Sequence, residues 1–94
     1  MSKEEASSTI YILLKMLNFS NWEARHGGIL GLKYSFNVMD EEFVRQTLKT
    51  SFDSIFKCLN DPVDDVSAEA AATLVSIKNL LIEAVPEKTP QLIK

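Results

Sequence analysis

The two halves of this 94-residue sequence carry the same pattern of large and small apolar residues, at a constant separation of 42 residues. Within each half, these residues recur every three or four positions, which is the spacing of one buried helix face. The matching positions are Ala6/Leu48, Ile10/Phe52, Leu13/Ile55, Leu14/Phe56 and Leu17/Leu59, then Ala24/Val66, Gly28/Ala70, Ile29/Ala71, Gly31/Thr73 and Leu32/Leu74. The sequence therefore predicts two copies of a helical hairpin.

This repeat length is typical of α-solenoids. HEAT and armadillo repeats span about 40–47 residues, and two helices per unit favour the HEAT type. Each hairpin has an apolar face that it cannot bury alone, so such units stack. We therefore predict an all-α fold, in which two HEAT-type hairpins form a fragment of a right-handed α-solenoid. A four-helix bundle is the alternative, but a bundle has no reason to repeat in register.

Capping and helix-breaking residues predict the helix boundaries. The pairs Ser2/Glu5 and Ser20/Glu23 are candidate capping boxes, Asp40 is a good N-cap, and Pro86 cannot continue a helix. The predicted repeats cover residues 1–39, with helices at about 2–17 and 21–38, and residues 40–86, with helices at about 41–59 and 64–85. Segment 87–94 is predicted to begin a truncated next repeat, because Thr89-Pro90 is a usual helix opening. We therefore expect the chain to be cut from a longer protein.

The second predicted helix contains Gly27, Gly28 and Gly31. An interior glycine destabilises a helix by about 1 kcal/mol relative to alanine, so a loop at Gly27-Gly28 is an alternative. The repeat aligns Gly28 and Gly31 with Ala70 and Thr73, which favours a helix. Small residues one turn apart allow a neighbouring helix to approach closely, and the packing offsets the lost propensity.

Composition argues against several classes of function. The net charge is −3, and the basic residues are scattered, whereas binding to a nucleic-acid backbone needs a basic face. A single cysteine, Cys58, excludes an internal disulfide framework and fits a reducing compartment. No apolar run approaches the ~18 residues that a membrane span needs, so we predict no membrane contact.

No arrangement of residues predicts catalysis, a cofactor or a metal site. His26 has no second histidine or suitable cysteine to share a metal ion, so we interpret it as structural or as a surface donor. Cys58 lies beside the apolar Leu59 with no adjacent His or Lys, which predicts a half-buried, inert thiol. A small helical enzyme is therefore a disfavoured hypothesis.

Residues 22–34 read Trp-Glu-Ala-Arg-His-Gly-Gly-Ile-Leu-Gly-Leu-Lys-Tyr. This stretch resembles a signature in the HEAT-repeat region of the TATA-binding-protein-associated ATPases of the Swi/Snf type, and it departs from that signature only by exchanges among aliphatic residues. The Asp-rich turn and Ala-rich helix over 61–74 are similar to the family's next repeat. One departure is Ser67, where the family tends to have arginine. An Asp–Arg ladder between repeats would be broken there.

The resemblance implies a function. In this family an amino-terminal HEAT solenoid grips the TATA-binding protein, and a carboxy-terminal ATPase strips that protein from DNA. The chain would then be a nuclear piece of the gripping arm that contacts neighbouring HEAT repeats, with DNA involved only indirectly. It has no phosphate-binding loop of the Gly-x-x-x-x-Gly-Lys type, so the motor would lie elsewhere. A generic HEAT scaffold for nuclear transport or chromosome organisation is the alternative.

The candidate partner-binding residues are Trp22, Asp61, Asp64 and Asp65. Trp22 opens a helix, where it either anchors a partner, as tryptophan often does, or covers the end of the core. The three aspartates cluster near one turn, where helix capping accounts for at least one of them. Loops on a repeat scaffold commonly carry binding, and the TATA-binding protein that the resemblance implies is strongly basic.

Two repeats lie at or below the usual minimum for independent stability. We therefore expect the circular dichroism of the isolated chain to be helical, with a low and broad thermal transition. A sharp transition at high temperature would contradict the truncated-solenoid interpretation.

Overall fold

A computed structural model describes residues 2–84, and this part of the chain contains five α-helices and no strand. The all-α prediction is confirmed. The helices are α1 (Lys3–Met16), α2 (Trp22–Val38), α3 (Glu41–Lys57), α4 (Asp64–Ser76) and α5 (Lys78–Ala84), with a 3₁₀ turn at Cys58–Asn60 after α3. The predicted end of the last helix at Pro86 and the predicted next repeat over 87–94 lie outside the described residues.

Side-chain caps begin the first three helices. The capping box of Ser2 and Glu5 is confirmed, because the Glu5 N–H donates to Ser2 Oγ at 3.1 Å and the Ser2 N–H donates to Glu5 Oε1 at 2.9 Å. Asp40 caps α3 by accepting from the Phe43 N–H at 3.1 Å. The predicted Ser20/Glu23 box is wrong. Asn21, an equally good N-cap residue, accepts from the Ala24 N–H at 3.1 Å instead.

The fourth predicted helix, 64–85, is divided at Ile77 into α4 and α5. The Ser76 hydroxyl donates to the Thr73 carbonyl oxygen, which also accepts from the Ile77 N–H. The β-branched Thr73, Val75 and Ile77 of this stretch favour a helix less than alanine does. After the division α5 packs against α3, where Glu83 lies 3.7 Å from Arg45. A buried apolar face continues across the break, because Ile77 and Leu81 are both buried.

The three glycines lie within α2, as the repeat predicted, and Gly28 is where α2 crosses α1 most closely. A Cβ atom at Gly28 would lie 2.9 Å from the carbonyl oxygen of Leu13 and 3.0 Å from the Cβ of Met16. A Cβ atom at Gly31 would instead meet Leu13 Cδ2, the end of a side chain, at 2.6 Å. The backbone of Leu13, which a side chain at Gly28 would meet, cannot move aside as a side chain can, so position 28 requires glycine.

The core is continuous between the two hairpins. It contains most of the predicted positions, with Leu13, Leu14, Phe56 and Leu59 at its partly buried margin. Ala71, the predicted match of the buried Ile29, is exposed instead. The largest fully buried side chains are Phe52, Ile29, Leu32, Leu48, Ile55, Leu81, Val44 and Val66. Because α2 contributes to this core and packs on both α1 and α4, it joins the first hairpin to the second.

Helices α2 and α4 are parallel neighbours. Arg25 pairs with Asp61 at 2.7 Å, and eight residues further along each chain segment Lys33 pairs with Glu69 at 3.2 Å. An up-and-down four-helix bundle places antiparallel helices side by side, whereas stacked hairpins place equivalent helices side by side and parallel. The packing therefore favours the repeat over the bundle. The repeat boundaries and the handedness of the superhelix stay predictions.

The close approach at Gly28 can be tested by two alanine substitutions in the same helix. We expect Gly28→Ala to lower the free energy of unfolding by about 1–3 kcal/mol, the range for overpacking, despite the better helix propensity of alanine. At Gly27 a Cβ atom would lie 3.6 Å from Met16 Cε, an ordinary contact. Gly27→Ala should therefore stabilise the chain by up to about 1 kcal/mol. Equal effects of the two substitutions in urea unfolding would contradict this packing.

Candidate functional site

The turn between α1 and α2 and the turn between α3 and α4 lie side by side, and Arg25 bridges them. Arg25 Nη1 donates to the carbonyl oxygens of Phe19 and Ser20, both at 2.8 Å. Its Nε and Nη2 donate to Asp61 Oδ2 and Oδ1 at 2.7 and 3.1 Å. A bidentate Arg–carboxylate pair combines charge with fixed geometry. We call the surface formed by these two turns and the first turns of α2 and α4 the turn edge.

Asp61 has an internal role. Besides Arg25, its Oδ1 accepts from the Val63 N–H at 2.9 Å, and its side chain is only 7% exposed. The hydrogen bonds from Arg25 hold the pKa of Asp61 below its ordinary range, and Asp61 in turn raises the pKa of Arg25. Of the four residues predicted to bind a partner, Asp61 thus has its carboxylate occupied within the chain.

The ladder from arginine to aspartate does not continue beyond this pair. Ser67 stands at the repeat position of Arg25, and its hydroxyl donates to the Asp64 carbonyl oxygen in its own turn, at 3.1 Å. Asp64 and Asp65 are exposed in the first turn of α4, where the helix dipole favours negative charge. Neither carboxylate has a hydrogen bond or ion pair within residues 2–84. Both are therefore free to meet a cationic group.

Trp22 is the first residue of α2, and its side chain both packs and faces solvent. It is 37% exposed, and its ring meets the edge of His26 with 6.0 Å between centroids. Phe19, in the preceding turn, is 51% exposed. Phe19 was not among the predicted partner-binding residues, although a large aromatic residue within the polar turn Asn18–Asn21 has no helix face to occupy and so indicates an exposed ring.

Cys58 lies behind this edge, beside an open cleft of about 400 Å³ between the two turns. It is more deeply buried than the half-buried thiol that the sequence predicted. Burial raises the pKa of the Cys58 thiol, which disfavours the reactive thiolate. Among residues 2–84, no three His, Cys, Asp or Glu side chains are grouped to hold a metal ion. No helix in that range is long and apolar enough to cross a bilayer.

The Arg25–Asp61 pair can be tested by Asp61→Asn. We expect this variant to lose roughly 1.5 kcal/mol of unfolding free energy at neutral pH, a typical value for a hydrogen bond to a charged group. Asp65→Asn, an exposed control, should change stability by less than about 0.5 kcal/mol.

The same pair predicts a pH dependence with a definite sign. Because the pKa of Asp61 is depressed in the folded state, its contribution is complete above the ordinary aspartate pKa of about 3.9 and is lost as the pH falls through the lower folded-state value. The stability difference between the wild type and Asp61→Asn should therefore shrink in acid. A difference that is the same in acid and at neutral pH would contradict the pairing.

Comparison with known proteins gives three relatives with related names. The chain is 37% identical over 93 residues to TATA-binding protein-associated factor 172 of Homo sapiens, a match that covers 99% of this chain and 5% of the human protein. It is 39% identical over 67 residues to TATA-binding protein-associated factor BTAF1 of Arabidopsis thaliana, covering 71% of this chain and 3% of that protein. It is 33% identical over 85 residues to TATA-binding protein-associated factor mot1 of Schizosaccharomyces pombe, covering 80% and 4%.

No family model matches the chain, and no solved structure matches it. The chain spans 5% or less of the length of the three relatives. Their similarity nevertheless extends over most of this chain, and it confirms the resemblance that residues 22–34 indicated. The chain is a homologue of a short segment of the TATA-binding protein-associated factors.

Proposed function

We propose that this chain is a HEAT-repeat segment of a nuclear transcription regulator that binds the TATA-binding protein, and that an ATPase outside the chain uses this grip to remove the TATA-binding protein from DNA. The observation that carries the proposal is the similarity to TATA-binding protein-associated factors over nearly the whole chain. A regulator of this kind acts here through protein–protein contact, and the chain itself supplies no reaction step.

The turn edge is the part of the surface that best suits such a contact. Asp64 and Asp65 are exposed and unpaired within residues 2–84, and the exposed rings of Phe19 and Trp22 belong to the same edge. Carboxylates attract a basic partner, and aromatic rings supply the apolar contact area that dominates many interfaces. We propose that Asp64, Asp65 and Trp22 contact the partner, while Asp61 holds the edge in shape from within.

The Arg25 bridge gives this edge a mechanical role. It fixes the turn that carries Phe19 against the turn that precedes α4. A contact made by both turns is then made by one rigid unit, so a displacement of the hairpins moves the whole contact. Strain from an ATPase elsewhere in the protein would reach the partner through this unit.

The proposal is tested by calorimetric titration of the chain with the TATA-binding protein, at low and at physiological salt. We expect binding that weakens with salt, because exposed charges are screened within about 8–10 Å. The double variant Asp64→Asn/Asp65→Asn should weaken binding about tenfold or more at low salt, since it removes two charges that face the partner.

A matched control is available at the opposite edge. Glu4 and Glu41 are exposed and lie in the first turns of α1 and α3, so Glu4→Gln/Glu41→Gln removes the same charge from equivalent helix positions. This control should bind like the wild type. Equal weakening by both pairs would mean that only net charge matters, and no binding by the folded chain would favour a generic HEAT scaffold.

A further inference from the structure

Helix α2 carries a row of exposed or half-exposed apolar and aromatic side chains. Trp22, His26, Leu30 and Tyr34 are spaced four residues apart, so each lies beside the next and the row winds round the helix by about 40° per step. Trp22 is 37% exposed, Leu30 43% and Tyr34 71%. We call these four residues the α2 ridge. At 1.5 Å per residue the ridge extends for about 18 Å.

The ridge ends at a cleft of mixed lining. This open cleft of about 500 Å³ lies between α2, α3 and the start of α1, and its lining combines Tyr34, Val38, Met39 and Phe43 with polar and charged residues that include Lys3, Asp40, Glu42 and Gln46. Val38 is 61% exposed and Phe43 is half-buried. A cleft of this size and lining accommodates one or two apolar side chains. The ridge and the cleft meet at Tyr34, and we call the two together the track.

The charges beside the track are negative at its Trp22 end. Glu23 is exposed next to Trp22, and Asp64 and Asp65 lie at the start of the parallel helix α4. Within residues 2–84 these three carboxylates have no hydrogen-bond or ion-pair partner. Arg25 and Lys33, the arginine and the lysine of α2, already pair with Asp61 and Glu69. The charge that complements this end is therefore positive.

We propose that the α2 ridge and its cleft form a docking surface for a basic amphipathic helix of a partner protein. The apolar stripe of that helix packs along Leu30 and Tyr34 and places an apolar side chain in the cleft. Its Lys or Arg residues lie over Glu23, Asp64 and Asp65. A helix that lays its apolar face on such a surface is a recurrent mode of peptide recognition. A second copy of this chain fits less well, because its net charge is −3 and its own ridge is flanked by the same carboxylates.

This surface goes beyond the proposed function, since it specifies the shape and charge of a ligand and does not depend on the TATA-binding protein being that ligand. The two hypotheses are separated by their tests. If the chain binds the TATA-binding protein but no basic amphipathic peptide, the docking proposal for the ridge fails and the proposed function stands. If the chain binds the peptide but not the TATA-binding protein, the proposed function fails and the docking proposal stands.

The test uses a synthetic helical peptide of about 14 residues, roughly the length of the ridge, with a leucine stripe and lysines clustered at one end. Trp22 is the only tryptophan in the chain, so a tryptophan-free peptide allows its fluorescence to report occupancy. We expect the emission of Trp22 to shift to the blue on binding. Leu30→Ser and Tyr34→Ser should each weaken binding about fivefold or more, the effect of losing an interface side chain worth over 1 kcal/mol.

Three controls make the outcome decisive. Val75 is 73% exposed on α4 and outside the track, so Val75→Ser should bind the peptide like the wild type. An isomeric peptide with the same residues but a scrambled stripe should bind at least about fivefold more weakly, because its charge is kept and its apolar face is lost. Equal binding of the two peptides, or unchanged binding by Leu30→Ser, would overturn the proposal. Self-association of the chain that Leu30→Ser abolishes would assign the ridge to a second copy instead.

Discussion

Arg25 joins α2 to the turn just before it and to the turn before α4, 36 residues away, and the alignment of the two hairpins depends on it. Its guanidinium donates to the turn after α1 through two carbonyl oxygens, and to the turn before α4 through the carboxylate of Asp61. The apolar core could tolerate a small slide of α4 along α2, since apolar contact is not directional. A bidentate ion pair tolerates much less, because it fixes both distance and orientation. The core supplies most of the stability, and Arg25 fixes the alignment.

The packing of the two hairpins also determines which side chains remain exposed and available to bind other molecules. Asp61 is engaged by Arg25, whereas Asp64 and Asp65 have no hydrogen-bond or ion-pair partner within the described part of the chain. On α2, the buried side faces α1 and α4, while Trp22, Leu30 and Tyr34 face outward. The acidic turn edge and the α2 ridge are thus consequences of the same packing. One offers charge with two aromatic rings, and the other offers a row of apolar and aromatic side chains.

Much of the fold could be predicted from the sequence because the same pattern of large and small apolar residues occurs in both halves. The alignment of Gly28 with Ala70 predicted a helix where propensity alone favoured a loop, and the close approach of α1 explains why. The caps at Ser2 and Asp40 were also predicted, since each depends on residues within one turn. The break at Ile77 was not predicted. It accompanies the packing of α5 against α3, a contact between segments far apart in the chain that no local pattern contains.

The candidate site was predicted less completely. The sequence placed Trp22, Asp61, Asp64 and Asp65 near helix starts, and the structure brings them to one edge. The sequence alone could not show that Asp61 is bound within the chain while Asp64 and Asp65 are exposed, because Arg25, the partner of Asp61, is 36 residues away along the chain. The cap at Asn21 was missed for a related reason, since Ser20 and Asn21 are equally suited to the position. The start at Asn21 leaves the Ser20 carbonyl oxygen to accept from Arg25.

A double-mutant cycle on Arg25 and Asp61 tests most directly whether this pair aligns the hairpins. The variants are Arg25→Gln, Asp61→Asn and the two combined, compared by urea unfolding at neutral pH and in acid. The account predicts strong non-additivity at neutral pH, with the double variant little less stable than either single variant, and a smaller coupling once Asp61 is protonated. Additive effects at neutral pH would contradict it, because they would mean that the two side chains act independently and that the core alone sets the relation between α2 and α4.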